Sequence, residues 1–437
     1  MKKQMSAFAC AIGCGLFAVA CTGDDITLGP DAGPPKSDAT VDQSNTNDAG
    51  TDGTVGPRVL MTYTATAGEL VAFDTQTDLV DGRFAPPPYA SVMQSGTDRF
   101  LLESNEDLVF LLDPVSQWNP TSSWNVALDD GFDGGLSYAD PVQVVEVAPN
   151  KAYVLRYNRD KIAIFDPTQT SDGGVPTTNP VDLSSLQQAN DPDGTVEMSG
   201  AVFDPTNKYL YVALANINLF LVDAVDGAYL PCANTVSTLV AIDTTTDTLV
   251  NLGGTGPGGS IALNGYSPQF GSVGGLIFDA VGNRVLVLST GCNATESDGG
   301  VGPQTGRLVE AVDLSTNTTQ TLLPANDQDF PNELVYIDGA HALIQFGYVP
   351  YATTYTWIPT QTTLGPPLAV TPDVFALDPL GSRILGAQST VATDGGTGPI
   401  NVIAVPINSI DGGGVQVFGQ NPFLEPGGYL GSVVYVP

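Results

Sequence analysis

The chain has 437 residues, with 14 lysines and arginines against 47 aspartates and glutamates, a formal net charge of −33 at pH 7, one histidine and five cysteines. A surface this acidic repels phosphate backbones and anionic headgroups, which excludes nucleic-acid binding and direct electrostatic docking on a membrane. One histidine cannot build a histidine-ligated metal centre, and a Ser-His-Asp triad would rest on His341 alone.

Lys2 and Lys3 precede a mostly apolar run over residues 7–20, and Ala18-Val19-Ala20-Cys21 supplies small residues before a cysteine. This is the pattern of a lipoprotein signal over residues 1–21, with Cys21 as the lipidated residue. The run is shorter than the roughly 17–25 apolar residues that a spanning helix needs. An alternative box, Ala11-Ile12-Gly13-Cys14, leaves a shorter apolar region, so Cys21 is preferred. Residues 22–56, rich in Asp, Gly, Pro, Ser and Thr with one lysine, cannot bury enough apolar surface to offset their ordering entropy. They are predicted to form a disordered acidic tether. The folded part, residues 57–437, is then held at the cell envelope by its lipid anchor in the outer membrane, facing the periplasm or the outside.

From residue 57 on, apolar strand-like runs end in an aspartate at a turn, at Asp74, Asp113, Asp166, Asp243 and Asp313, and two degenerate copies end at Pro359 and Pro406. Three strands are legible over residues 142–147, 152–157 and 161–165, and the same order restarts near Gly200, Gly275, Glu333 and Val374, with a weaker copy over 90–112. Short apolar strands bounded by Asp, Gly and Pro turns and repeated seven times are what a radial array of antiparallel sheets leaves in a sequence. The predicted fold is all-β, a seven-bladed β-propeller of four-stranded antiparallel blades. Residues 59–62, 69–73 and the stretch near Leu79 read as a blade lacking its first strand, and residues 431–436 as an inner strand lacking a blade. The C-terminal strand therefore completes the N-terminal blade and closes the ring, which removes two open edges.

Candidate site residues follow in chain order. Glu103 with Glu106, and Glu146 with Glu197, are carboxylate pairs that could meet across the central channel. Trp118 and Trp124 flank an expanded turn and cover apolar surface. Asp129, Asp130 and Asp133 crowd a glycine-rich turn and form a calcium candidate, with Asn190, Asp191 and Asp193 a second oxygen cluster. Lys151, Arg156, Arg159 and Lys161 reverse the local charge. Connections between second and third strands, and those between blades, share one end of a propeller. They carry Arg156, Tyr157, Arg159, Asn216, Tyr266, Phe270, Tyr348 and Tyr351, residue types suited to an unknown protein, glycan or small ligand. The competing account of the basic residues is salt bridging to neighbouring acids. Asp-Gly-Gly at Asp172, Asp298, Asp394 and Asp411 reads as hairpin tips. Cys232 and Cys292, the only thiols of the folded part, fall in insertions of successive repeats and are predicted to pair as a structural disulfide. No constellation requires a cofactor.

Residues 152–166, AYVLRYNRDKIAIFD, and 210–216, LYVALAN, resemble the YVTN-type repeats of YncE-like and lactonase-like seven-bladed propellers. The acidic tether after a lipobox resembles surface lipoproteins of myxobacteria. The repeat resemblance implies the propeller fold. It leaves two functions open, a non-enzymatic binding or scaffolding module and a lactonase-like hydrolase, because the fold hosts both.

Overall fold

The structure is a computed structural model. It describes residues 58–64, 67–77, 79–128, 138–169, 172–174, 179–191, 195–217, 232, 235–266, 275–295, 301–324, 331–338, 341–347, 352–368, 374–377, 383–391, 397–406, 416–420 and 429–436. The leader, the tether and Cys21 lie outside these residues. No helix among them is long and apolar enough to cross a membrane.

The described strands form seven sheets of a β-propeller. Sheet 1 is composite, ordered Leu79–Phe84, Gly68–Asp74, Arg58–Thr64 and Tyr429–Val436. Sheet 2 holds Ser91–Ser95, Asp98–Glu103, Leu108–Asp113 and Asn119–Asn125; sheet 3 holds Pro141–Ala148, Lys151–Arg156, Lys161–Phe165 and Val181–Asp182. Sheet 4 runs Met198–Asp204, Tyr209–Leu214 and Thr238–Asp243, with Thr248–Val250 and Ile261–Ala262 sharing the outer position. Sheet 5 comprises Leu276–Asp279, Arg284–Thr295, Val301–Asp313 and Thr318–Pro324. Sheet 6 comprises Pro331–Asp338, His341–Phe346, Thr353–Trp357 and Leu364–Pro367, and sheet 7 Val374–Leu377, Arg383–Val391, Thr397–Pro406 and Gln416–Gln420. Against the seven blades expected, six blades proper are each drawn, edge strands aside, from one stretch of chain; the remaining sheet is the composite one that the sequence predicts, shared by the two ends.

The second and third strands are short and apolar because both their faces are buried between neighbouring sheets. Phe100, Leu102, Val109, Val154, Ala163 and Phe165 form one such layer between sheets 2 and 3, where Trp124 packs on Phe165 with ring centroids 4.5 Å apart. Trp118 and Trp124 are both buried. In sheet 1, Thr62 pairs with Ser432 and Leu60 with Val434, and the Ser432 hydroxyl also accepts the Val92 N–H of sheet 2 at 2.6 Å. The last strand thus joins its neighbours by backbone pairing and by packing.

Each predicted aspartate ends or directly follows a third strand and caps the next turn. Asp74 Oδ1 accepts the N–H groups of Gln76 (2.7 Å) and Thr77 (3.1 Å), Asp113 that of Val115, Asp166 that of Thr168, Asp243 that of Thr245, and Asp313 those of Ser315 and Thr316. The carboxylate satisfies amide donors that the sheet ladder leaves over, which is why an acid recurs there. Asp172 is a different case: Asp172–Gly174 is a short strand parallel to Asn119–Asn125 at the outer edge of sheet 2, not a hairpin tip. The third-to-fourth connection of sheet 3 crosses to its neighbour there and covers an open edge.

Candidate functional site

The two ends of the ring differ in chemistry. Hairpins joining first to second and third to fourth strands lie at one end, the turn end; second-to-third connections and the links between sheets lie at the other, the loop end. The strand Lys151–Arg156 runs from one to the other, so the four basic residues near it are not one patch. Lys151 Nζ is at the turn end, 2.7 Å from Asp247 Oδ1, where the Tyr153 hydroxyl also bonds Asp247. Arg156 is at the loop end.

Arg156, Tyr157, Arg159 and Asn216 do share the loop end, but they are buried, Arg156 and Asn216 at 0% exposure. This corrects their assignment to a presented face. Arg156 Nη1 donates to the carbonyls of Val126 (3.2 Å) and Ala127 (2.8 Å), and its Nε to that of Lys161 (2.8 Å). Asn216 Nδ2 donates to Val236 O (3.1 Å) and Thr238 Oγ1 (3.2 Å), and Arg159 Nη1 to Asn158 O (2.7 Å). Irregular connections carry backbone groups that no ladder satisfies, and these side chains satisfy them. Tyr266 is partly buried and bonds Gly306 and Gly291 through its backbone. Phe270, Tyr348, Tyr351 and the calcium candidates Asp129, Asp130 and Asp133 lie outside the described residues.

Buried carboxylates repeat the same work with opposite polarity. Asp107 Oδ1 accepts the amides of Ala139 and Asp140; Glu197 accepts Ile217 N–H (2.9 Å) and the Thr195 hydroxyl; Glu310 accepts Asn264 N–H (2.9 Å) and Gly265 N–H (3.0 Å). Burial raises the Asp107 and Glu310 carboxyls, and the amides they accept oppose that rise. Sequence reasoning missed these clamps. Their signal is an acid inside an apolar strand, as Glu310 is between Val309 and Ala311. Asp140 and Glu197 occupy equivalent places before the first strands of sheets 3 and 4, both at positive φ (58° and 43°), with carbonyls that accept Tyr157 N–H and Ala215 N–H at 2.9 Å.

Two acids at this end are tuned toward neutrality. Burial, then the charge of Glu106, pushes the Glu103 carboxyl up to about 8; burial, with Asp107 adding and the Ser104 hydroxyl opposing, brings Asp140 to about 6. Glu103 and Glu106 are therefore neighbours, but within one turn, where Glu106 N–H donates to Glu103 O (3.2 Å), and not across the channel as expected. Glu146 and Glu197 do not meet: Glu146 lies at the turn end beside Gly96 and Asp98, and Glu197 at the loop end. His341, also at the turn end, is exposed, with Nδ1 2.9 Å from Asp338 Oδ1. Among the described residues, no three His, Cys, Asp or Glu side chains are placed to hold a metal. Cys232 and Cys292 are disulfide-bonded, with Cα atoms 6.0 Å apart, and link the loop-end connections of sheets 4 and 5.

No protein-family model matches the chain, and no curated protein matches it in sequence. Solved structures do. A candidate 6-phosphogluconolactonase from Bacteroides fragilis is similar at 12% identity and a TM-score of 0.53, over 87% of this chain and 98% of that one. The periplasmic gluconolactonase PpgL from Pseudomonas aeruginosa is similar at 15% identity and a TM-score of 0.50, over 87% and 99%. At these identities the likeness is one of fold, and it agrees with the propeller described above.

Proposed function

We propose that the chain is an extracytoplasmic propeller, lipid-anchored through Cys21, that binds a protein, glycan or small ligand at the loop end of its ring and carries out no chemistry. The observation that supports a binding scaffold is the use made of the buried charges. Asp107, Glu197 and Glu310 clamp backbone amides, and Arg156 clamps carbonyls. Groups that a hydrolase would aim at substrate are here spent on fixing connections, which gives a rigid platform. Among the described residues, the exposed ones at that end include Tyr89, Asn105, Glu106 and Val236. Crosslinking on intact cell envelopes followed by identification of captured species tests the reading. Recovery of a partner lost on substituting Asn105, Glu106 and Val236 supports it, and capture that is indifferent to those residues counts against it.

A lactonase-like hydrolase is the second reading, favoured by Glu103. A buried carboxyl pushed up to about 8, with a second carboxylate-bearing residue, Glu106, in the same turn, is the kind of pairing that a general acid and base require. Turnover on a panel of lactones and sugar esters, lost in Glu103→Gln, would establish it over the first.

A further inference from the structure

We infer that the outer half of the central hairpin of sheet 5 is a hinged flap at the loop end, held in place by the Cys232–Cys292 disulfide. Its two strands, Arg284–Thr295 and Val301–Asp313, are the longest of the described strands. The first strand of the sheet pairs with this hairpin only up to Val287, and the fourth only up to Leu308. From Thr290 outward the two long strands pair, among the described strands, with each other alone. A two-stranded ribbon is marginal without further support.

The joint between the halves is built from three residues. Gly291 and Gly306 face each other between the pairs Thr290–Arg307 and Cys292–Thr305, and both have positive φ, 82° and 71°. Their hydrogen bonds go to Tyr266, whose N–H donates to Gly306 O (3.0 Å) and whose carbonyl accepts Gly291 N–H (2.9 Å). One residue of the preceding link is thus wedged into the ladder. A Cβ at Gly306 would overlap the Tyr266 ring, so glycine is required there for space as well as for φ. Two opposed glycines beside a ladder interruption form a compliant joint, and the next residue outward is Cys292.

The bridge ties that outer half to the long connection of sheet 4. Release needs a dithiol reductant. One of its thiolates attacks a bridge sulfur to form a mixed disulfide, and its second thiol resolves it. The protein gains two electrons and two protons as Cys232 and Cys292 thiols, and the dithiol leaves as its own disulfide. The flap is then free to swing about Gly291 and Gly306.

Hydrogen exchange on the full chain, oxidised and after reduction with a dithiol and alkylation, tests this. Amides in 291–295 and 301–306 should exchange about tenfold faster after reduction, while those of Arg284–Leu288 and of sheets 1 to 3 stay unchanged. The double variant Cys232→Ser, Cys292→Ser, free of reductant, should reproduce that pattern. Unchanged exchange in 291–295 and 301–306 with both thiols alkylated would overturn the flap. So would acceleration across all of sheet 5, because the bridge would then be holding the blade and not a hinged part of it.

Discussion

Arg156 shows why a residue type points to a place more easily than to a role. An arginine and tyrosine after an apolar strand marked the loop end correctly, yet the guanidinium bonds three carbonyls of its own chain. Sequence cannot distinguish these outcomes, because two of the three carbonyls come from a connection about 30 positions upstream. Arg156→Ala leaves them buried and unpaired, and should cost about 3 kcal/mol in urea unfolding, with Arg156→Lys recovering less than half because one ammonium cannot reproduce the planar fork. Glu103 carries a pH signature. Its carboxyl is raised to about 8 in the fold, so its contribution is fully present below the ordinary glutamate range and is lost as pH rises through 8; Asp140 acts alike between about 4 and about 6. Thermal stability should therefore decline from pH 5 to pH 8. Glu103→Gln should flatten that decline and stabilise the protein at pH 8 by about 1–2 kcal/mol, a figure discounted for solvent near the group.

Among elements, the inner strands and their aspartate turns were legible because each is local: an apolar run of five or six residues and an acid two or three residues before the amides it caps. Asp204 belongs to the same class, accepting Thr206 N–H (2.8 Å) and Asn207 N–H (3.2 Å) while buried. Asp204→Ala should cost about 1–3 kcal/mol in denaturant unfolding. Asp313→Ala, in an exposed turn, should cost less. The Ser315 and Thr316 bonds hold its carboxyl below the usual range, so the benefit present at neutral pH fades in acid as that group protonates. The outer strands escaped reading. The two-residue strand Val181–Asp182 and the split pair Thr248–Val250 and Ile261–Ala262 take their conformation from the strand beside them, with no pattern of their own. The outward extension of Arg284–Thr295 was missed for a similar reason, since Gly291 and Asn293 signal a turn and the ladder resumes across them.

At the scale of the whole ring, closure was legible from two incomplete ends. An N-terminal group of strands without a first member and a C-terminal strand without partners can satisfy their edges only on each other, and Arg58–Thr64 does pair with Tyr429–Val436. The loop-end chemistry was not legible, because it depends on which links cross which sheets. Truncation after residue 428 should remove the cooperative unfolding transition and increase binding of a hydrophobic dye, since Val59, Met61 and Val71 would lose their covering strand. Retention of a single sharp transition at the parent midpoint would contradict a closed ring.

The strand that completes sheet 1 is also the last of the described strands in chain order, so it is synthesised after every described strand it joins. Until residues 429–436 are made, the propeller has an open seam. The nascent chain is then kept from locking into its final form while the preceding strands are being synthesised. Placing the latch after every other described strand ties closure of the ring to the arrival of that strand.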